Sequence, residues 1–135
     1  MTEAAPTLYA YVASPMTGLP GEYLANVARI STVCRALIDL DVGICPINPA
    51  GDILEGLASA TPLSDAAYKR RSMDLLRLLA LLPKGQAALY VLATKHRNGS
   101  ISAGVAAEIT EAMFLGIPVV YTTPELLAVR AEVTS

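Results

Sequence analysis

Four apolar runs without polar alternation constrain this chain most: Leu8–Ser14 (LYAYVAS), Val42–Ile47, Ala87–Thr94 (AALYVLAT) and Pro118–Thr122 (PVVYT). A strand with one face in water alternates, so these strands are expected to be covered on both faces, as in a parallel sheet. Helical patterns lie between them. In Glu22–Asp39, the residues Leu24, Val27, Ala28, Cys34, Leu37 and Ile38 recur at helical spacing. A second helix is expected from an N-cap at Ser64 or Asp65 to about Leu82, ahead of Pro83 and Gly85. Ser102 caps a third that runs through Leu115, with Gly116 at its end and Pro118 just beyond. Thr123-Pro124-Glu125 opens a fourth, with Thr123 as N-cap and proline at the first helical position. Asn48–Pro62 has no sustained period and is expected to be a lid or binding segment.

The β-α-β-α-β-α-β-α order predicts a single domain over residues 1–135. Its expected architecture is a three-layer α/β/α fold with a parallel sheet in the order 2-1-3-4, Rossmann- or flavodoxin-like. In that order the chain reverses direction between strands 1 and 3. A ligand crevice is therefore expected at their carboxyl ends, lined by Ser14–Gly18 and Thr94–Gly104.

Composition narrows the function classes. With 135 residues, 53% of them hydrophobic and a net charge of -2, the chain is neither disordered nor a basic nucleic-acid binder. Cys34, Cys45 and the single His96 lack metal-site spacing, so no metal and no cofactor is expected. Met1–Thr7 lacks a basic leader, and Leu75–Leu82 is broken by Arg77 and too short to span a bilayer. A cytoplasmic protein without membrane or nucleic-acid partners is the expectation. Leu75–Leu82 is apolar on most of its circumference, which predicts a subunit interface in a homodimer or higher homo-oligomer.

One carboxylate stands out. At about 100° per residue, Val105, Ile109, Ala112, Met113, Leu115 and Gly116 share an apolar arc of the third helix. Glu108 falls inside that arc and Glu111 outside it. A carboxylate on the core side of a helix is costly unless it is paired or faces a cavity. Gly104, Ala106 and Ala107 leave room for a ligand beside it. Ser100, Ser102 and the backbone N–H groups of Ala103 and Gly104 lie at a helix N-terminus, where an anion is favoured. Asp74, by pattern alone, shares a flank with Arg70 and Arg77 as an ordinary surface ion pair would.

Tyr11-Val12-Ala13-Ser14-Pro15-Met16-Thr17-Gly18 resembles the opening strand and loop of the nucleoside 2-deoxyribosyltransferase-like superfamily, small bacterial and phage members above all. Asn48-Pro49, Arg70–Leu79 with Asp74, Ser102–Glu108, Ala112 and Gly116–Val119 follow in matching order. Ser102-Ala103-Gly104-Val105-Ala106-Ala107-Glu108 is similar to an element of the 2'-deoxynucleoside 5'-phosphate N-hydrolases in that superfamily. The chain departs from the pattern at Ser14, where many relatives have glycine. It departs also at Gln86, in an apparent insertion at Leu82–Gly85, and in a first loop without arginine.

The resemblance implies cleavage of an N-glycosidic bond, or base transfer, on a nucleoside or nucleoside 5'-monophosphate. By resemblance Glu108 is the nucleophile, Tyr11 holds it, and Asp74 assists proton transfer to the departing base. Ser14, Pro15, Met16, Thr17, Gly18, Asn48, Ser100, Ser102 and Gly104 are the expected substrate contacts. At Ser102 a hydroxyl can donate to a phosphate, which a carboxylate would repel. The alternative is a non-catalytic nucleotide-binding module, a sensor or sequestering protein of the same fold. A receiver-type domain is disfavoured because Ala13-Ser14-Pro15 supplies no acidic cluster.

Overall fold

A computed structural model describes residues 7–16, 22–52, 58 and 64–134. Strands β1 (Leu8–Ala13), β2 (Ile44–Ile47), β3 (Ala87–Val91) and β4 (Val119–Val120) form one sheet in the order β2-β1-β3-β4. All pairings are parallel; Tyr11 lies opposite Ile47 on one side and Leu89 on the other. The helices are α1 (Glu22–Leu40), α2 (Asp65–Leu79), α3 (Ala103–Leu115) and α4 (Thr123–Thr134). The expected doubly wound architecture is therefore present.

Alternation along β1 divides the core in two. Leu8, Ala10 and Val12 join Ile30, Cys34 and Leu37 of α1 and Leu126 of α4 in one cluster. Tyr11 and Ala13 join Leu76 and Leu79 of α2 and Val105 and Ala112 of α3 in the other. Each large aliphatic side chain buried in this way contributes about 1.5–3 kcal/mol. Among the described residues no helix is long and apolar enough to cross a membrane.

Local chemistry sets the boundaries, and several differ from the sequence expectation. β2 starts at Ile44 because Asp41 (φ 50°) and Gly43 (φ 79°) turn the chain just before it. β1 and β3 stop at Ala13 and Val91, where their pairing ends. α2 begins at the predicted Ser64 cap, whose hydroxyl accepts from Ala67 N at 3.1 Å, but it ends at Leu79 instead of Leu82. Leu81 and Leu82 there form tighter i to i−3 bonds, as expected where Pro83 disfavours helix in the residue before it. The cap of α4 falls on Thr122, not Thr123. Its hydroxyl accepts from Glu125 N at 3.2 Å and donates to the Glu125 carboxylate at 3.1 Å. Thr123 instead meets the Tyr90 hydroxyl at 2.8 Å. Within the aperiodic stretch, Pro49–Asp52 form a 3-10 turn, and residues 53–57 and 59–63 lie outside the described ones.

The helix that carries Glu108 is capped at both ends. Ser102 accepts from Val105 N at 3.3 Å to open α3, a cap worth about 1 kcal/mol. Gly116 closes it at φ 76°, with Ile117 N bonded to Ala112 O at 2.8 Å and Gly116 N to Met113 O at 3.2 Å. That paired pattern requires a left-handed residue, which glycine supplies without strain.

Candidate active site

Position 11 points the β1 tyrosine ring into the α2–α3 side of the core, where Tyr11 is fully buried. Glu108 rises toward it from α3. Burial pushes the Glu108 carboxyl up from its ordinary 4.5 to about 7, and a hydrogen bond from the Tyr11 hydroxyl opposes that rise. Desolvation disfavours the anion, while a donated hydrogen bond favours it; here desolvation is the larger effect. The result is a carboxyl that exchanges its proton near neutrality, the range suited to a general acid or base.

The helical arc is only partly buried. Val105 and Ala112 are enclosed, but Met113 is 69% exposed, contrary to its expected place in the core. Met113 and the 84% exposed Phe114 lie on the outer side of the last turn, which no described element covers. Glu111, expected in solvent, is 22% exposed and accepts from Arg77 Nε at 3.1 Å.

Asp74 pairs with Arg77 on the surface of α2. Its carboxylate is 63% exposed and accepts from Arg77 Nη1 at 3.3 Å. It lines an open depression of about 360 Å³ on the outer side of α2, with Arg70, Arg71 and Leu78. Arg77 thus bridges Asp74 and Glu111 across the α2–α3 seam, a pairing between residues far apart in sequence.

The expected substrate contacts divide. Ser14 is buried at the end of β1, and its hydroxyl accepts from Arg29 Nη2. Pro15 is buried beside it, and Met16 O accepts from Asn26 Nδ2 at 3.1 Å. Thr17 and Gly18 lie outside the described residues. Asn48 is committed to the fold: Nδ2 donates to Ser31 Oγ at 3.2 Å, and Oδ1 accepts from Ala50 N at 3.0 Å. Ser100 is exposed and donates to Asn98 from both hydroxyl and backbone. It sits in a hairpin closed by the Lys95–Ile101 bridge. Ser102 is 4% exposed and occupied as the cap of α3. A Cβ on Gly104 would meet only Ser102 Oγ, at 3.9 Å, so open space lies above this glycine.

Arg29 was not singled out by sequence. It lies mid-helix in α1, and the only available signal was that its helix packs beside the carboxyl end of β1. Among the described residues no group of three or more His, Cys, Asp or Glu side chains is placed to hold a metal ion.

No family model, curated protein or solved structure matches this chain.

Proposed function

We propose that this protein cleaves the N-glycosidic bond of a nucleoside or nucleoside 5'-monophosphate, or transfers its base. The observation that carries the proposal is the Glu108–Tyr11 pair: an otherwise apolar cluster holds one carboxyl, tuned to about 7, beside a fully buried phenol. The motif resemblance supplies the substrate class.

In the proposed reaction, an ionised Glu108 oxygen forms a bond to C1' as the bond from C1' to the base nitrogen breaks. The base leaves with the bonding pair and takes up a proton, assisted by Asp74. Water then attacks C1', frees Glu108 and releases the sugar, or a second base takes the place of water. Tyr11 donates to the carboxylate and fixes its orientation. Asp74 must turn from Arg77 toward the leaving base, which its exposed position permits.

The same proposal includes self-association. Leu78 is 60% exposed and Leu81 81%, close in sequence to the buried Leu76 and Leu79; a second copy is the proposed cover. Sedimentation should show a dimer or larger species that Leu81→Asp converts to monomer.

The deciding experiment follows free base by chromatography, with a panel of nucleosides and 5'-monophosphates. Release by wild type and none by Glu108→Gln is the expected result. Nucleotide binding by both proteins with release by neither favours the binding module, a reading consistent with an Asp74 engaged by Arg77.

A further inference from the structure

We infer that the outer face of α2 docks on the outer C-terminal end of α1 in a second copy of this chain, a head-to-tail contact. The inference rests on the self-association proposed above, names the surface that covers Leu78 and Leu81, and is independent of the glycosidic chemistry.

Charge is divided unevenly along the chain. Residues 65–115, from the start of α2 to the end of α3, hold seven of the ten Lys and Arg but only four of the twelve Asp and Glu. The rest of the chain holds three and eight. The fold converts that division into sides, because α2 and α3 pack on one side of the sheet and α1 on the other. Each side also leaves apolar side chains uncovered. On α2, Leu78 and Leu81 are exposed. Leu78 lines the depression of about 360 Å³ together with Arg70 and Arg71. Lys69 and Lys84 are exposed close by in sequence, and the acids of this surface, Asp74 and Glu111, are both engaged by Arg77. On α1 and the turn after it, Ile38, Leu40 and Val42 are exposed, Ile38 by 58%. Asp39 and Asp41 are exposed between them, and Arg35 meets Asp39 at 2.9 Å.

Uncovered apolar side chains rimmed by charge mark interaction surfaces, and these two surfaces carry opposite signs. Two copies meeting α2 to α2 would set Lys69 and Arg70 of each against those of the other, and like charges brought together in this way are costly. Two copies meeting α2 to α1 instead place the aliphatic side chains of Ile38, Leu40 and Val42 against the depression and Leu81. Asp39 and Asp41 then face the arginines at its rim, and both the apolar and the charged requirements are met. The chain thus carries its own complement. Because the two surfaces differ and lie on opposite sides of the sheet, the contact is heterologous. It repeats from copy to copy and builds a ring or an open series in place of a two-fold dimer.

The test is sedimentation of the full chain and of two variants, Leu81→Asp on α2 and Ile38→Arg on α1, each checked for folding by circular dichroism. Wild type should form species larger than a dimer as concentration rises. Its association constant should fall about tenfold or more between roughly 0.01 M and roughly 1 M salt, as the Debye length shrinks from about 30 Å to about 3 Å. Each variant alone should be monomeric. Mixed in equal amounts the two should form a pair, because one keeps the α1 surface and the other keeps the α2 surface. A mixture that stays monomeric overturns the inference, as does association that salt leaves unchanged. Ile38→Arg that still dimerises while Leu81→Asp does not also overturns it, and leaves self-association standing through a two-fold contact. A wild type that is monomeric throughout removes both. If Ile38→Arg does not fold, Leu40→Arg takes its place on the same surface. Base release by wild type is measured separately, so failure of the assembly and failure of the glycosidic reading are told apart.

Discussion

Alternate residues of β1 enter two different environments. On the α1–α4 side, Leu8, Ala10 and Val12 meet mostly aliphatic neighbours, and the Tyr90 phenol of the same cluster is paired with Thr123 Oγ1 at 2.8 Å. On the α2–α3 side, the same strand buries a phenol, and α3 offers it a carboxyl. On the α1–α4 side the buried phenol has a neutral hydroxyl partner. The α2–α3 side gives up stability, because a carboxyl held near 7 costs folding free energy whenever it is ionised. Its ordinary value lies at 4.5, so between pH 4.5 and 7 the folded chain keeps a proton that the unfolded chain has released. The cost is absent below 4.5, grows through that window and is complete above 7, reaching roughly 3 kcal/mol. The proposed chemistry, on this comparison, occupies the side whose packing is energetically imperfect.

The sharpest way to break that contrast is Glu108→Gln. Base release should fall at least 1,000-fold, as about befits loss of a nucleophile. Urea denaturation at pH 8 should show a variant more stable than wild type, with the advantage vanishing near pH 4.5. A loss of stability at pH 8 would mean that the α2–α3 side carries no such cost.

Asp74→Asn separates chemistry from structure. Proton assistance is worth on the order of 100-fold in turnover, whereas an exposed pair with Arg77 contributes less than about 1 kcal/mol. Unchanged turnover in a fully folded variant would remove Asp74 from the mechanism.

Tyr11→Phe deletes the hydrogen bond that opposes desolvation, so the Glu108 carboxyl rises further above 7. The acid limb of the kcat/KM profile should move to higher pH, with about a tenfold loss near neutrality. A limb that stays in place would show that Tyr11 only fills space.

The smallest effect belongs to the other side. Gly43 has φ 79°, and a Cβ there would run into the Arg130 guanidinium. Arg130 Nε also donates to Val42 O at 2.8 Å, joining α4 to the approach of β2. Gly43→Ala should cost about 1–2 kcal/mol in thermal or urea unfolding and leave the pH profile of turnover untouched. A shifted profile would couple the two sides.

Unalternating apolar runs dictated a buried parallel sheet, and caps such as Ser64, Ser102 and Gly116 dictated helix ends, because both are local free-energy preferences. Glu108 was legible for a related reason: a charge inside an apolar arc is anomalous in one dimension. Strand ends were less legible, since pairing with a neighbour, not composition, decides where Val91 stops and Ile44 begins. The cap at Thr122 was missed because its reciprocal bond with Glu125 competes with the equally plausible Thr123-Pro124 pattern.

What only the tertiary structure decided is which side chains meet. Arg77 reaching Glu111, Asn48 spending its amide on Ser31 and Ala50, and Arg29 settling on Ser14 are contacts between distant segments. No local periodicity encodes them. They exist because sheet order brings α1 beside the end of β1 and α2 beside α3, and because each polar group then takes the nearest partner available once water is displaced.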